Sequence, residues 1–360
     1  MTGSARERLR LGVVFGGRSG EHEVSVVSAQ HVMAAADRER FEVVPIGITK
    51  GGAWLTPEET ESILTRPEEP YQKALNLCRG HGLLARPQAL EVLSEVDVVF
   101  PVLHGPYGED GTIQGFLELA GVPYVGAGVA ASAVGLDKAL MKALFRQAGL
   151  PVPDHVVLTW REWKKDPTKA ARALEERLSY PMFVKPANGG SSVGITKARS
   201  REDLHDAMSL ASRYDRKAVV EKAVAGREIE CAVLGNDEPE ASPLGEIVYT
   251  REFYDYEAKY LDPNTQLIAP AELPPETEAR IKETALRAYR AVDCAGMARV
   301  DFFLLPDGEV LLDEINTIPG FTPVSMYPRL WELAGLSYPQ LISRLVDLAL
   351  ERHRERQELA

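Results

Sequence analysis

Basic runs, paired cysteines, long apolar stretches and the common nucleotide fingerprints are all missing from this chain, and each absence removes a class of protein. With Lys+Arg 41 against Asp+Glu 53 the formal net charge is −12, and no cluster of lysine or arginine supplies the positive stripe that a nucleic-acid surface needs. The three cysteines, Cys78, Cys231 and Cys294, are scattered and form no CxxC pair. Free thiols in a reducing compartment are the simplest account, and no zinc site is expected. No apolar run is long enough to span a bilayer, and Met1 to Arg10 is too short, polar and charged for a signal peptide, so a cytoplasmic protein without a membrane partner is expected. Gly16-Gly17-Arg18-Ser19-Gly20 lacks the order of a Rossmann G-x-G-x-x-G, and no glycine loop ends in Gly-Lys-Ser/Thr. A nucleotide, if bound, is gripped another way. Internal repeats and low-complexity stretches are absent as well.

What is present reads as α/β. The 360 residues suggest two or three domains with an ample core. Leu9 to Phe15 is an apolar strand, followed by the glycine loop and an apolar-periodic helix from about Ser25 to Ala36. Val43 to Ile48, Val96 to Leu103 and Val122 to Val125 supply further strands, so the first third resembles a parallel sheet with crossover helices. Residues 51–86 are rich in glycine, proline and charge and read only as a surface insertion. Asp137 to Gln147 is a helix ended by Gly149, with Pro151 and Pro153 beyond. A second unit follows: strand Met182 to Lys185, glycine loop Asn188 to Gly194, a helix opening at Ser200 with Asp203 in capping-box position, and strand Ala218 to Lys222. A third holds strand Glu228 to Leu234, a helix from about Glu276 to Val292, two apolar runs around a turn, and a final helix from about Tyr338 to Arg352. The terminal Glu351 to Arg356 run alternates sign and reads as a solvated helix end.

The two apolar runs, Arg299 to Leu304 and Leu311 to Asn316, flank Leu305-Pro306-Asp307-Gly308 and read as a β-hairpin. With Asp307 and Gly308 as the turn pair, Leu304 falls opposite Leu311, Phe302 opposite Asp313, Asp301 opposite Glu314 and Arg299 opposite Asn316. Pro-Asp-Gly also suits a three-residue loop, which shifts every partner by one and exchanges the faces. That register would press Glu314 and Asn316 against Val300 and Phe302, whereas the first strands only Asp313 among apolar side chains. The pattern therefore favours the first. Carboxylates opposed across a strand pair repel unless a cation lies between them, and Mg2+ prefers such hard oxygens together with substrate phosphates. On charge spacing alone, a solvated hairpin edge with Arg299 paired to Asp301 explains the pattern equally well.

Four loops carry further chemistry. Lys185 precedes Asn188-Gly189-Gly190-Ser191-Ser192-Val193-Gly194, whose backbone N–H groups suit phosphates, although a bare mobile turn fits as well. Phe253 to Tyr260 is dense in aromatics and charge without periodicity, as a closing loop is, or as a loop anchored by buried tyrosines is. His104 to Gly111 follows an apolar strand and leads into a helix, the usual place for ligand groups in an open α/β sheet, though its glycines also simply make the turn. Glu21, in Ser19-Gly20-Glu21-His22-Glu23, also suits a helix N-terminus.

Taken in order, Gly16 to Ser25, His104-Gly105 with Gly108 to Gly111, Asp137-Lys138, Lys185-Pro186 with Gly190 to Gly194, Tyr254 to Tyr260, Arg299 to Asp301, and Glu314 to Thr317 with Pro319-Gly320 resemble the D-alanine:D-alanine ligases of the ATP-grasp superfamily across nearly the whole chain. The resemblance implies three domains: an N-terminal open parallel α/β sheet binding substrate (1–135), a small central α+β domain (136–225) and a C-terminal α+β catalytic domain (226–360). It implies that ATP converts the first D-alanine's carboxylate to an acyl phosphate, which the second D-alanine's amino group attacks. Asp301, Glu314 and Asn316 match the ligands of two Mg2+ ions, for which Mn2+ is an alternative, and Arg299 matches the residue that stabilises the acyl phosphate and the tetrahedral intermediate. Lys138, Lys185, Ser192 and Lys259 match ATP phosphate contacts, Glu221 and Lys222 the strand beside adenine, and Glu228 the ribose carboxylate. Glu21, with Ser191 and Tyr260, matches the group holding the first substrate, while Gly320 and Ser325 match the second substrate's carboxylate site and His104 a pocket residue. Tyr260 leans the second substrate towards D-alanine rather than D-lactate or D-serine, and a homodimer is expected. A nucleotide-binding regulator without catalysis is the reading from another class; Arg299, Asp301, Glu314 and Asn316 are all retained here, and that weighs against it.

Overall fold

The computed structural model describes residues 8–64, 88–249 and 265–359. Three sheets organise them, and each follows from its sequence pattern. Strands β1 (Leu9–Gly16), β2 (Phe41–Ile48) and β3 (Val98–Val102) form a parallel sheet in the order β2-β1-β3. Leu11, Val13, Val14 and Phe15 are fully buried, as a strand covered on both faces requires. The expected strand at Val122 to Val125 is reduced to one parallel bridge, Val99 to Tyr124, because Pro123 has no N–H to extend the ladder and Gly126, at φ 94°, turns the chain away. The first helix starts at His22, not Ser25. Ser25 lies inside it because its hydroxyl joins strand ends, accepting from Gly16 N at 2.8 Å and donating to Val102 O.

A four-stranded sheet, ordered β4-β7-β5-β6, contains β4 (His155–Thr159), β5 (Met182–Pro186), β6 (Thr196–Ala198) and β7 (Lys217–Lys222). As expected, Ser200 caps the following helix, accepting from Asp203 N at 3.2 Å. The third sheet, β10-β9-β8-β11-β12, is antiparallel and comprises β8 (Arg227–Gly235), β9 (Glu240–Val248), β10 (Gln266–Ile268), β11 (Gly296–Leu304) and β12 (Val310–Asn316). Its inner face packs on helix Pro275–Ala291 through Ile281, Ala285, Ala288 and Tyr289.

Two expectations about surfaces are corrected. Within the presumed surface insertion, Ala53, Trp54 and Leu55 are buried, and Trp54 bridges to Ile48 at the end of β2; residues 65–87 lie outside the described part. The final helix runs from Tyr338 to Glu358, and its charged end is not merely solvated. Arg352 donates to Tyr124 O at 3.0 Å and to Gly126 O, with its guanidinium 4.6 Å from the Tyr124 ring centroid, and Arg356 pairs with Glu118. These contacts tie the last helix to the first sheet. No helix among the described residues is long and apolar enough to cross a membrane, and Cys231 and Cys294 are free, buried thiols. Cys78 lies outside the described residues.

Candidate active site

A cavity of about 580 Å³ opens between the four-stranded and five-stranded sheets. Its floor is the β11/β12 hairpin. Asp301 is paired directly with Glu314 and Arg299 with Asn316, the register expected for the acidic face. Nearer the turn the expectation fails. Leu304 is opposite Val310 and Phe302 opposite Leu312, so the turn is the rejected Pro306-Asp307-Gly308 loop, closed by Leu305 N to Glu309 O at 2.8 Å with Gly308 at φ 88°. The two registers are reconciled by a bulge: Asp313 is the extra residue, without a partner in the ladder. The bulge also removes the anomaly of an acid among apolar groups, because Asp313 lines the cavity beside Glu314.

The acids are balanced by cations from other elements. Arg299 forks onto Asp301 at 2.8 and 2.7 Å and lies 3.1 Å from Glu230 on β8. Burial opposes its charge, but Asp301 and Glu230 outweigh that and hold the guanidinium well above its ordinary pKa. Helix Lys138–Gln147 contributes two lysines four residues apart, hence on one face. Lys138 donates to Gly189 O at 2.8 Å and stands 3.4 Å from Glu314, while Lys142, almost wholly buried, reaches Asp313 Oδ1 at 3.0 Å and Glu221 at 3.1 Å. Lys185, from β5, meets Glu221 at 2.8 Å and Asp313 at 3.4 Å. Burial again works against ionisation, yet the opposite charges prevail: Asp313 and Glu221 are held below the ordinary carboxylate range and Lys185 above that of a lysine. Glu221 is thus committed to two lysines, and Lys222 beside it is exposed on the cavity rim. Glu228 lines the same cavity and accepts from Tyr249 OH at 2.7 Å.

On the N-terminal side, Ser191 Oγ donates to Glu21, so the loop after β5 closes onto the loop after β1. Ser191 and Ser192 both take left-handed backbone angles, φ 47° and 58°, conformations held at a cost of about 1–3 kcal/mol each. A Cβ at Gly190 would stand 2.7 Å from Glu21 Oε2, so a larger residue there would have to displace the Glu21 carboxylate. His104 is buried, its Nδ1 3.2 Å from Ile318 O, and burial lowers its pKa, so the neutral ring is favoured. Glu109, which accepts from Gly105 N at 2.6 Å, is pushed up to about 8 by burial and then by Glu21. Gly320 and Ser325 adjoin one another, with Ser325 Oγ accepting from Thr322 N at 3.1 Å, but neither lines the large cavity. Lys259 and Tyr260 lie outside the described residues.

Sequence reasoning missed Lys142, Glu230 and Asp313 as members of this cluster and gave Glu109 no role. Two signals were available. Lys142 follows Lys138 by one helical turn, and Glu230 follows Glu228 by the strand period of two.

As to metals, Asp301 and Glu314 offer carboxylate oxygens and Asn316 an amide oxygen, hard donors of the kind Mg2+ selects. Asn316 now turns Nδ2 to Asp301 at 2.9 Å, and reversing the amide presents its oxygen instead. Among the described residues no three His, Cys, Asp or Glu side chains gather into a metal site, so such a set depends on Asn316 and on substrate phosphates. The donor chemistry fits.

A parallel α/β sheet followed by two antiparallel sheets clasping a cavity of lysines and carboxylates defines an ATP-grasp ligase. Residues 10–127 match the model of the D-ala D-ala ligase N-terminus and residues 144–347 that of the D-ala D-ala ligase C-terminus, and the chain belongs to the D-alanine–D-alanine ligase family. It is 50% identical over 358 residues to the D-alanine–D-alanine ligase of Geobacillus thermodenitrificans, covering 97% of this chain and 98% of that one. Among solved structures, the D-alanine-D-alanine ligase of Coxiella burnetii is 35% identical with a TM-score of 0.79, over 98% of this chain and 97% of that one. A D-Ala:D-Ser ligase of Enterococcus faecalis is 36% identical with a TM-score of 0.78, over 95% and 99%.

Proposed function

We propose that this chain uses ATP to join two D-alanines into D-alanyl-D-alanine, a peptidoglycan precursor, releasing ADP and phosphate. The observation that carries the chemistry is the direct opposition of Asp301 and Glu314 on the cavity floor, flanked by Arg299 and Lys138. In the proposed sequence the first D-alanine's carboxylate takes the γ-phosphoryl group of ATP. The second D-alanine's amine then attacks the acyl carbon, the C–N bond forms, and the C–O bond to phosphate breaks.

The chain's residues divide this work. Lys138 and Lys185 neutralise phosphate charge, and Glu228, held by Tyr249, takes the ribose hydroxyls. Glu21, steadied by Ser191, binds the first ammonium, and the serine loop covers the site so that water cannot hydrolyse the acyl phosphate. Arg299 offsets the negative charge that develops at the acyl phosphate and in the tetrahedral intermediate. Ser192 and Lys259 act on phosphate, Glu221 and Lys222 border the adenine, Tyr260 completes the first-substrate site, Gly320 and Ser325 take the second substrate's carboxylate, and His104 lines the substrate pocket. Two Mg2+ ions held by Asp301, Glu314 and Asn316 would neutralise charge on the transferring phosphoryl group when bound. A cytoplasmic homodimer completes the reading, in keeping with the free thiols Cys231 and Cys294.

ADP release measured with D-alanine, D-serine or D-lactate as second substrate tests the proposal. Turnover with D-alanine should be the fastest of the three. Equal or better turnover with D-serine would move the chain to the specificity of the Enterococcus ligase, and ADP release independent of any amino acid would refute ligation.

A further inference from the structure

Arg299 is held from two sides. Its guanidinium forks onto Asp301 at 2.8 and 2.7 Å, and its Nε also lies 3.1 Å from Glu230 Oε1. Three neighbouring strands set this up, since Asp301 on β11 is paired with Glu230 on β8 and with Glu314 on β12. The carboxylates therefore form a row, Glu230, Asp301, Glu314, with the guanidinium towards one end and Lys138 at the other.

The middle member has competing claims on it. A lone pair taken by an N–H is not open to a metal ion, and the Asp301 oxygens accept from Arg299 and from Asn316. Once Asp301 turns an oxygen to a divalent cation, the guanidinium keeps the carboxylate on β8. The Glu230 side chain is only 5% exposed, so solvent and salt screen that pair little.

We propose that Glu230 is a positioning residue for the ligation: it retains Arg299 in the cavity wall while Asp301 passes to the metal, which keeps the guanidinium beside the developing charge and off the metal's carboxylate. The inference rests on the reading of Asp301 and Glu314 as metal ligands. Without Glu230 the guanidinium has Asp301 as its nearest anion and competes with the cation for it.

Mn2+ titrated into the full chain with a non-hydrolysable ATP analogue, followed by the spin resonance of free Mn2+, reads metal affinity without turnover. Glu230→Ala should weaken Mn2+ binding by about 10-fold and lower kcat by about 10- to 100-fold, with KM for ATP within about twofold. Glu230→Gln, of nearly the same shape, should show the same losses in smaller degree. The double variant Glu230→Ala, Arg299→Ala should regain Mn2+ affinity, because the competing cation is gone; damage to packing would not be rescued in this way. Unchanged Mn2+ binding in Glu230→Ala, or a double variant that binds as poorly as the single one, overturns the inference. Asp301→Asn separates the two readings. If it weakens Mn2+ and Glu230→Ala does not, the positioning role alone fails, and if neither weakens it, the metal assignment fails and takes the inference with it.

Discussion

Glu109 shows how much a single residue's chemistry depends on where the fold puts it. In the sequence it is one acid in a glycine-rich loop; in the structure that loop folds it into the cavity wall, accepting from Gly105 N, with Glu21 nearby. Burial, then repulsion from Glu21, raises its pKa from 4.5 to about 8. The folded chain thus holds a proton that the unfolded chain releases, and stability falls as pH rises between 4.5 and 8. Glu109→Gln removes this dependence. In the ligand-free protein its melting temperature should exceed the parent's by a few degrees, on the order of 2–4 °C per kcal/mol, at the upper end of that range and not at the lower. Parallel melting curves across the range would show that Glu109 does not titrate there.

At the scale of elements, the β11/β12 hairpin was half legible. Alternation placed Asp301, Glu314, Arg299 and Asn316 on one face, and they share it, because an acid on the other face would meet Val300 and Phe302. The turn was misread because Asp-Gly and Pro-Asp-Gly both make good hairpin turns, and alternation cannot report a bulge that sets the register back. The bulge has a physical cause in another element: Asp313 shares Lys142 and Lys185 with Glu221, giving two cations and two anions in a buried cluster. Asp313→Ala leaves two lysines on one carboxylate and should destabilise the chain by about 3–5 kcal/mol in urea unfolding. Adding Lys142→Ala should recover part of that loss. Strict additivity of the two substitutions would mean that the cluster does not act as a unit.

At the scale of the whole molecule, the last helix is also part of the first sheet's core. Leu341, Ile342, Leu345 and Val346 share a buried cluster with Leu11, Val13 and Phe15, which are more than 300 residues away in sequence. Leu345→Ala should therefore cost about 2–5 kcal/mol and should accelerate hydrogen exchange at Val13 and Phe15, not only within the helix. Unchanged protection in β1 would show that the two ends of the chain unfold independently. The helix itself was expected from the sequence, but its partner was not, since an apolar face is only a demand for cover and any apolar surface meets it.

The sequence by itself determined the α/β class, the strands and helices named from it apart from Val122 to Val125, and the acidic face of the hairpin, since periodicity and turn chemistry act over a few neighbouring residues; it did not show the strands His155–Thr159, Thr196–Ala198, Glu240–Val248 and Gln266–Ile268. Tertiary structure alone decided that Asp313 would bulge towards Lys142, 171 positions away, that Glu230 would share Arg299 with Asp301, and that Glu109 would meet Glu21. Electrostatic partners are chosen by distance in space, and those distances exist only after the three sheets have packed.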